Sequence, residues 1–518
     1  MATARIENRK LARDVMTPRR SWPEQLLRWC ARPPLWTKIL AWCVIAGALI
    51  GVRLHLMHVV PFYLWSKDGG SYADSAWQWL DSGVWESDPR RGPTYSLLIA
   101  SCLKMWGTFW SLMVVQHLIG GFCVFAAILL LWRLHGASAW LPVTACGVAY
   151  AVYAGPIATE HLVRNESLIF LFATMTLIGW FAALRRDSII WLGFSGLAFG
   201  LLFITKNVFA PFFVIVLVAL GWSDRHQLLR AAARIAVFVV SCAVPIVGNR
   251  ILTQLTVHEK PLEPQAGLLL YARVAQFTVL DGGIEPALKA LIRDDILAYR
   301  RRPKLDNNII LNRTAVPHMR EYLFAHGATP SNLNRVCRAL ALEAIRAHPG
   351  EYARQFWRDF QRLHLSYGER LQRPDLGEFR FTSTWLGAMT NPHPTLRRDE
   401  TVAAIAARNS RETFRIYARM VNAAWLFNYS PVLLTSLLLP VLTILATGTL
   451  RWWWLGLCAV WAFNILLLST IGKPMDRYLV PVMPVMFWTL GSATADLWQM
   501  MTTLFARYFG TPHAAEPI

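Results

Sequence analysis

Charge is what this sequence has little of. Asp, Glu, Lys and Arg together make up 16% of it, where a soluble domain carries about a quarter. Acids are the scarcer sign, 32 against 52 Lys plus Arg in 518 residues. Cysteine is sparse as well. Cys30, Cys43, Cys102, Cys123, Cys146, Cys242, Cys337 and Cys458 form no CxxC pair, and most sit in apolar runs. A thiol there behaves as a small hydrophobe, so neither a disulfide framework nor a structural zinc site is expected. No Gly-rich phosphate loop opens a strand–helix unit, which argues against a Rossmann-type nucleotide site. Together these shortages exclude a soluble cytosolic enzyme, a disordered chain and a disulfide scaffold.

What is plentiful is apolar. Hydrophobic residues make up 55% of the chain, 24 of them Trp, and the mean hydropathy is +0.34. The class this fits is an all-α polytopic membrane protein with room for a water-facing region. The formal charge of +20 would suggest nucleic acid in a soluble protein. Here no nucleic-acid motif accompanies it, and it reads as inner-face arginines with affinity for anionic lipids.

Charge-poor apolar runs at roughly 37–58, 108–132, 138–157, 166–184, 188–205, 207–222, 233–250, 430–449, 452–471 and 478–496 predict ten membrane spans of about the ~20 residues a bilayer needs. Residues 1–37 then form a basic cytoplasmic tail, too long and polar for a cleaved signal peptide. Residues 38–250 form an N-terminal transmembrane core with a first outside loop at 59–107. Residues 251–428 form an outside region, 429–497 the last spans and 498–518 a second cytoplasmic tail. With the N-terminus inside, the short connections holding Arg133, Arg185–Arg186, Arg225–Arg234 and Arg451 all fall inside, as the positive-inside rule asks. Pro93–Gly107 is apolar but short, and is expected to lie in the interface. The 251–428 region shows helical periodicity over Leu333–Leu365 and Pro/Gly breaks at Pro303, Gly327–Pro330, Pro349–Gly350 and Pro392–Pro394, predicting several short helices.

Ionisable residues at a membrane edge are expensive and are candidates for function. One cluster follows the first span: Lys67-Asp68-Gly69-Gly70-Ser71-Tyr72-Ala73-Asp74. Asp68 could serve as a general base; equally, Asp68 or Ser71 could cap a helix over 71–80. A second cluster, Thr159-Glu160-His161-Leu162-Val163-Arg164-Asn165-Glu166-Ser167, fills a short outside turn. Glu160 and Arg164 could be a helical i,i+4 pair, or Glu160 and Glu166 could face Asp68, with Arg164 left for a phosphate. It is no HExxH zinc motif, because Arg164 stands where the second His would be. A third group places cations at the same face: Lys206, Lys473 and Arg477, with Arg53 near the end of span one. Snorkelling explains Arg53; for Lys206 and Arg477 an anionic lipid phosphate is the better reading. Carboxylates for proton abstraction beside cations for a phosphate are the equipment for moving a group from a phosphorylated lipid to a hydroxyl.

These residues, in order, resemble the GT-C superfamily of polyprenyl-phosphate-dependent glycosyltransferases, in its protein O-mannosyltransferase and lipid A aminoarabinose transferase branch. The resemblance rests on Asp68 followed by Tyr72-Ala73, on Arg91-Gly92-Pro93-Thr94-Tyr95, on Asn165-Glu166-Ser167-Leu168, on Gly193–Gly200 leading to Thr205-Lys206-Asn207, and on Arg477-Tyr478-Leu479-Val480-Pro481-Val482-Met483-Pro484. Gly92 replaces the first residue of the family's Pro-Pro step, and Lys206 replaces an Arg. The resemblance implies a GT-C-like bundle of about ten transmembrane helices with interfacial helices and an α-helical periplasmic region. It implies transfer of a sugar from a polyprenyl-phosphate donor to a periplasmic acceptor hydroxyl, with inversion, in a bacterial inner membrane. Asp68 would be the base, assisted by Glu166 or Glu160, with a divalent cation between Asp68 and Glu166 left open. Lys206, Arg477, Lys473, Arg164, Arg53 and Tyr72 would hold the donor, and Asp74, Arg91, Tyr95 and Tyr478 would line the pocket. The competing expectation is a transporter or flippase of a lipid-linked sugar, although no inverted repeat is visible.

Overall fold

The computed structural model describes residues 29, 33–59, 69–83, 92–153, 157, 159–206, 210–256, 266–300, 316–327, 330–365, 431–471 and 482–508. Among these residues there is no strand, and eighteen α-helices carry the architecture. In chain order they are α1 (Leu35–Val59), α2 (Gly69–Ser82), α3 (Pro93–Trp106), α4 (Phe109–His135), α5 (Trp140–Ala151), α6 (Glu166–Arg186), α7 (Ile189–Thr205), α8 (Ala210–Ser223) and α9 (Leu228–Thr256). Then follow α10 (Ala266–Val274), α11 (Pro286–Leu291), α12 (Arg293–Arg300), α13 (Val316–Ala325), α14 (Pro330–Ala347), α15 (Pro349–Leu365), α16 (Pro431–Leu445), α17 (Gly448–Ile471) and α18 (Met483–Tyr508).

Ten of these helices match the ten apolar runs, and the protein is an all-α polytopic membrane protein. Five of them, α1, α4, α6, α9 and α17, are long and apolar enough to cross a bilayer by length and composition; α5, α7, α8 and α16 are apolar but shorter. The boundaries differ from the sequence expectation where apolarity and helicity part. α9 extends several residues beyond its apolar run at both ends, because its backbone bonds continue into polar residues and past Pro245. α5 stops early, with the Val152 N–H donating to the Val148 carbonyl at 3.1 Å and the Tyr153 N–H making a 3₁₀-type bond to the Tyr150 carbonyl at 3.1 Å. α6 ends on Arg185 and Arg186, cations that suit the negative end of a helix dipole, and closes through Asp187 at φ 52.

The spanning helices share one core containing Trp180, Trp453, Trp488, Phe170, Phe199 and Phe238. α7 lies between α6 and α9. Against α9 it presents Gly196 and Gly200, where a side-chain carbon would come within 2.5 Å of the Phe238 carbonyl and 2.4 Å of the Cys242 carbonyl. Small residues four apart let two membrane helices approach backbone to backbone. Against α6, Ser195 donates to the Thr176 carbonyl at 2.8 Å.

Two smaller cores flank the bundle. α2 and α3 pack Tyr72, Trp77, Tyr95 and Ile99 against Phe109 and Leu112 of α4 and against Val163 and Leu168. α3 matches the expected interfacial run and closes at Gly107 with φ 74. Ser71 is the third residue of α2, inside the first turn and not at a cap position. Helices α10–α15 enclose Tyr271, Leu288, Ile296, Met319, Cys337 and Leu340. The predicted break at Pro349–Gly350 separates α14 from α15, and α15 packs onto α16 and α17. The basic N-terminal tail up to residue 28, the whole of 366–430 and the C-terminal tail after 508 lie outside the described residues.

The α7–α9 contact yields the first prediction. Gly200→Ala should cost about 1–3 kcal/mol, the usual penalty for overpacking. Gly51→Ala, whose methyl would meet nothing within 4 Å, should stay within ~0.5 kcal/mol of wild type. Thermal melts in detergent compare them; equal stability of the two variants would contradict the close approach.

Candidate active site

The site forms at the end of the bundle where α6 begins and α7 ends, here called the rim. Its anchor is Arg53, about two turns from the end of α1. The side chain is not snorkelling: Arg53 is 5% exposed, and it faces Glu160 in a two-pronged ion pair. Nε donates to Glu160 Oε2 at 2.8 Å and Nη2 to Oε1 at 2.6 Å, while Nη1 donates to the Leu49 and Ala151 carbonyls at 3.2 and 3.4 Å. Glu160 therefore pairs with α1, not with Arg164 one helical turn on, because the chain leaves the helix at His161.

The same carboxylate takes a third bond from α4. His117 Nδ1 lies 2.8 Å from Glu160 Oε2, and His117 Nε2 lies 3.1 Å from His161 Nδ1. An ionised carboxylate only accepts, so Nδ1 of His117 carries the proton; in the neutral ring Nε2 then accepts from His161. Gly120, one turn further along α4, leaves the space: a side-chain carbon there would stand 1.8 Å from Glu160 Oε1. Burial pushes the Glu160 carboxyl up, but the Arg53 charge and the His117 bond pull harder, and its pKa stands below the ordinary 4.5.

Gln116, beside His117, fixes the connection that follows. Its Nε2 donates to the carbonyls of Glu160 and Leu162, each at 3.0 Å, and its Oε1 accepts from the Tyr95 hydroxyl at 2.8 Å. Tyr95 is fully buried, edge-on to Tyr72 with ring centroids 5.1 Å apart. Burial, then the nearby Glu166 charge, lifts its hydroxyl well above the ordinary 10. Asn165 stands at the cap position of α6 but spends its side chain on α7, donating to the Thr205 carbonyl at 3.2 Å. Thr205 in turn meets Thr94 at 2.8 Å between hydroxyls. Gly92 lies against the end of α7, so close that a side-chain carbon would stand 1.7 Å from the Ile204 carbonyl oxygen. A proline at position 92 would collide there.

Three stretches far apart in sequence thus meet: Gly92–Tyr95, Glu160–Glu166 and Thr205–Lys206. Glu166, the first residue of α6, is 1% exposed, and its Oε2 has no hydrogen-bond partner among the described residues. A buried polar atom left without a partner costs about 1–3 kcal/mol, more when charged. Arg164 is buried at the same rim, Lys206 is half-buried at the end of α7, and Asp74 is exposed on α2. Asp68, Arg91, Lys473, Arg477 and Tyr478 lie outside the described residues. Among those described, no group of three or more His, Cys, Asp or Glu side chains is placed to hold a metal ion. His117 and Gln116 were not singled out from sequence, and His161 was quoted in the second cluster without a role. The signal was present, since Gln116-His117 is a polar pair inside an otherwise apolar span.

The pair predicts a stability and a pH effect. Arg53→Met leaves Glu160 buried without its cation and should cost about 3–5 kcal/mol; the double variant Arg53→Met/Glu160→Gln should lose less. A carboxylate with a depressed pKa stabilises fully above its ordinary value near 4.5, and that contribution fades as pH falls through the lower folded value. Melts from pH 7 to 3.5 should therefore show the gap between wild type and Glu160→Gln narrowing only below about pH 4.5. A gap unchanged over that range would sink the assignment.

Comparison with known proteins closes the description. No protein-family model matches the chain, and no curated protein matches it. Among solved structures the chain is similar to the crystal structure of ArnT from Cupriavidus metallidurans bound to undecaprenyl phosphate, with 16% identity, 87% of this chain and 78% of that one covered, and a TM-score of 0.39. It is also similar to the apo state of that protein, with 16% identity, 88% and 78% covered, and a TM-score of 0.33.

Proposed function

We propose that this chain is an integral membrane glycosyltransferase. It moves a sugar from a polyprenyl-phosphate carrier to an acceptor hydroxyl, at a site on the periplasmic face of a bacterial inner membrane. The observation that carries the reading is Glu166: a carboxylate 1% exposed, with one oxygen unpartnered among the described residues, where three of the motifs that resemble GT-C transferases converge. Asp68, four residues before Tyr72 in sequence, is the base in this reading.

The reaction is a single inverting displacement. Asp68 takes the proton from the acceptor hydroxyl, whose oxygen attacks the anomeric carbon. The bond from that carbon to the phosphate oxygen breaks, and its electrons leave with the polyprenyl phosphate. Glu166 orients the acceptor by accepting from a second hydroxyl. Lys206, Arg164, Lys473 and Arg477 hold the phosphate and stabilise the charge growing on it. Arg53 and Glu160 neutralise one another, so in this reading they position His117 and the connection and neither bind the donor nor take the proton. Tyr72 and Tyr95 form the wall beneath, with Asp74, Arg91 and Tyr478 towards the acceptor.

The test uses purified full-length protein, a panel of polyprenyl-phosphate sugars and membrane extract as acceptor, following release of free polyprenyl phosphate. Wild type should release carrier from at least one donor. Asp68→Asn should lower the rate about 10²–10⁴-fold, the usual worth of a positioned base, and Glu166→Gln about 10-fold or more, one lost hydrogen bond in the transition state. Release unaffected by Asp68→Asn would remove that residue as base. No release from any donor, with donor movement across liposomes instead, would replace the transferase reading with transport.

A further inference from the structure

The end of the bundle away from the rim is built on a different balance of charge. α4 and α6 end there and α17 begins, and their terminal turns carry Arg133, Arg185, Arg186 and Arg451. Arg225 lies over the rings of Trp222 and Trp452, 5.9 and 5.8 Å from their centroids. The neighbouring carboxylates are already engaged. Asp187 is held by Arg230, Asp224 by Arg234 at 2.8 Å, and Asp496 faces His135 at 3.4 Å. Among the described residues the five arginines Arg133, Arg185, Arg186, Arg225 and Arg451 have no carboxylate partner.

Between these helix ends is a cavity of about 170 Å³, lined by Leu134, Phe181, Leu184, Arg185, Leu450 and Trp453. A cavity of ~150 Å³ can hold benzene, so this one has room for a phosphate group and its first carbons. Arg185 is exposed at its edge and, among the described residues, makes only a long bond, 3.4 Å, to the Arg133 carbonyl. Trp453 is fully buried, and its Nε1–H has no hydrogen-bond partner among the described residues. A buried indole N–H ordinarily finds an acceptor. The site thus offers a guanidinium fork and apolar walls, surrounded by positive charge without carboxylate partners among the described residues.

We propose that this cavity binds the phosphate of an anionic phospholipid, with the acyl chains running along the bundle past Leu450 and Leu134. The Arg185 fork takes two phosphate oxygens. The positive-inside rule assigns this end to the cytoplasmic leaflet, where basic pockets between membrane helices take anionic headgroups. The proposal does not rest on the transferase reading, because the cavity lies at the other end of α6 from Glu166.

Native mass spectrometry of the full-length protein in detergent, titrated with phosphatidylglycerol or phosphatidylcholine, tests it. Wild type should retain phosphatidylglycerol at least tenfold more tightly. Arg185→Ala, at an exposed position, should remove most of that preference. Leu134→Phe, which fills the cavity and leaves every charge in place, should act like Arg185→Ala. A preference unchanged in both Arg185→Ala and Leu134→Phe overturns the proposal, since the lipid then binds elsewhere. Thermal stabilisation by inorganic phosphate equal to that by phosphatidylglycerol, at matched concentration and lost in Arg185→Ala, also overturns it, in favour of a free-phosphate site.

Discussion

The rim depends on the ion pair between Arg53 and Glu160. Either charge alone, taken out of water into the top of an apolar bundle, would face a penalty of several kcal/mol. The pair is tolerable only because almost every lone pair and proton on it is used: two bonds between the partners, two from Arg53 to backbone carbonyls, and one between His117 and the carboxylate. Such a pair is weak evidence for stability, since well-packed apolar residues could do as well. What it does supply is position. It fixes α1, α4 and the connection leading into α6 to one another at a single point.

From that point the rest of the rim is located by short steps. Gln116 holds the carbonyls of Glu160 and Leu162, so the chain has little freedom before α6 starts at Glu166. Asn165 ties that start to the end of α7, and Thr205 ties α7 to α3 through Thr94. The two carboxylates of this connection are consequently unlike. Glu160 is neutralised by a cation and held below the ordinary carboxylate range. Glu166, six residues on, keeps an oxygen without a partner among the described residues. Environment, not residue type, makes these two carboxylates differ.

The helical bundle was legible because its signal is compositional. Ten apolar runs predict ten helices, and ten are present, with errors confined to ends such as those of α5 and α9 where polar residues continue a helix or apolar ones leave it. Local chemistry was read less well. The sequence offered Arg164 as the partner of Glu160 because they stand four apart; the actual partner, Arg53, is 107 residues away. Arg53 was assigned to snorkelling because sequence spacing carries no information on what faces a side chain across a bundle. His117 was overlooked because the span around it is apolar on average, and an average hides one polar pair.

The departures at positions 92 and 206 gain a common meaning from the packing. Read along the sequence, glycine for proline and lysine for arginine are two unrelated changes, 114 residues apart by number. In the fold they flank one contact: Gly92 presses on the Ile204 carbonyl, and Lys206 follows Thr205, which is bonded to Thr94. The close approach leaves no room for a ring or a methyl at 92. It also brings the start of α3 against the end of α7, one residue before the Lys206 cation. Positions 92 and 206 thus belong to one joint, in which the start of α3 presses on the end of α7 and carries its cation to the rim.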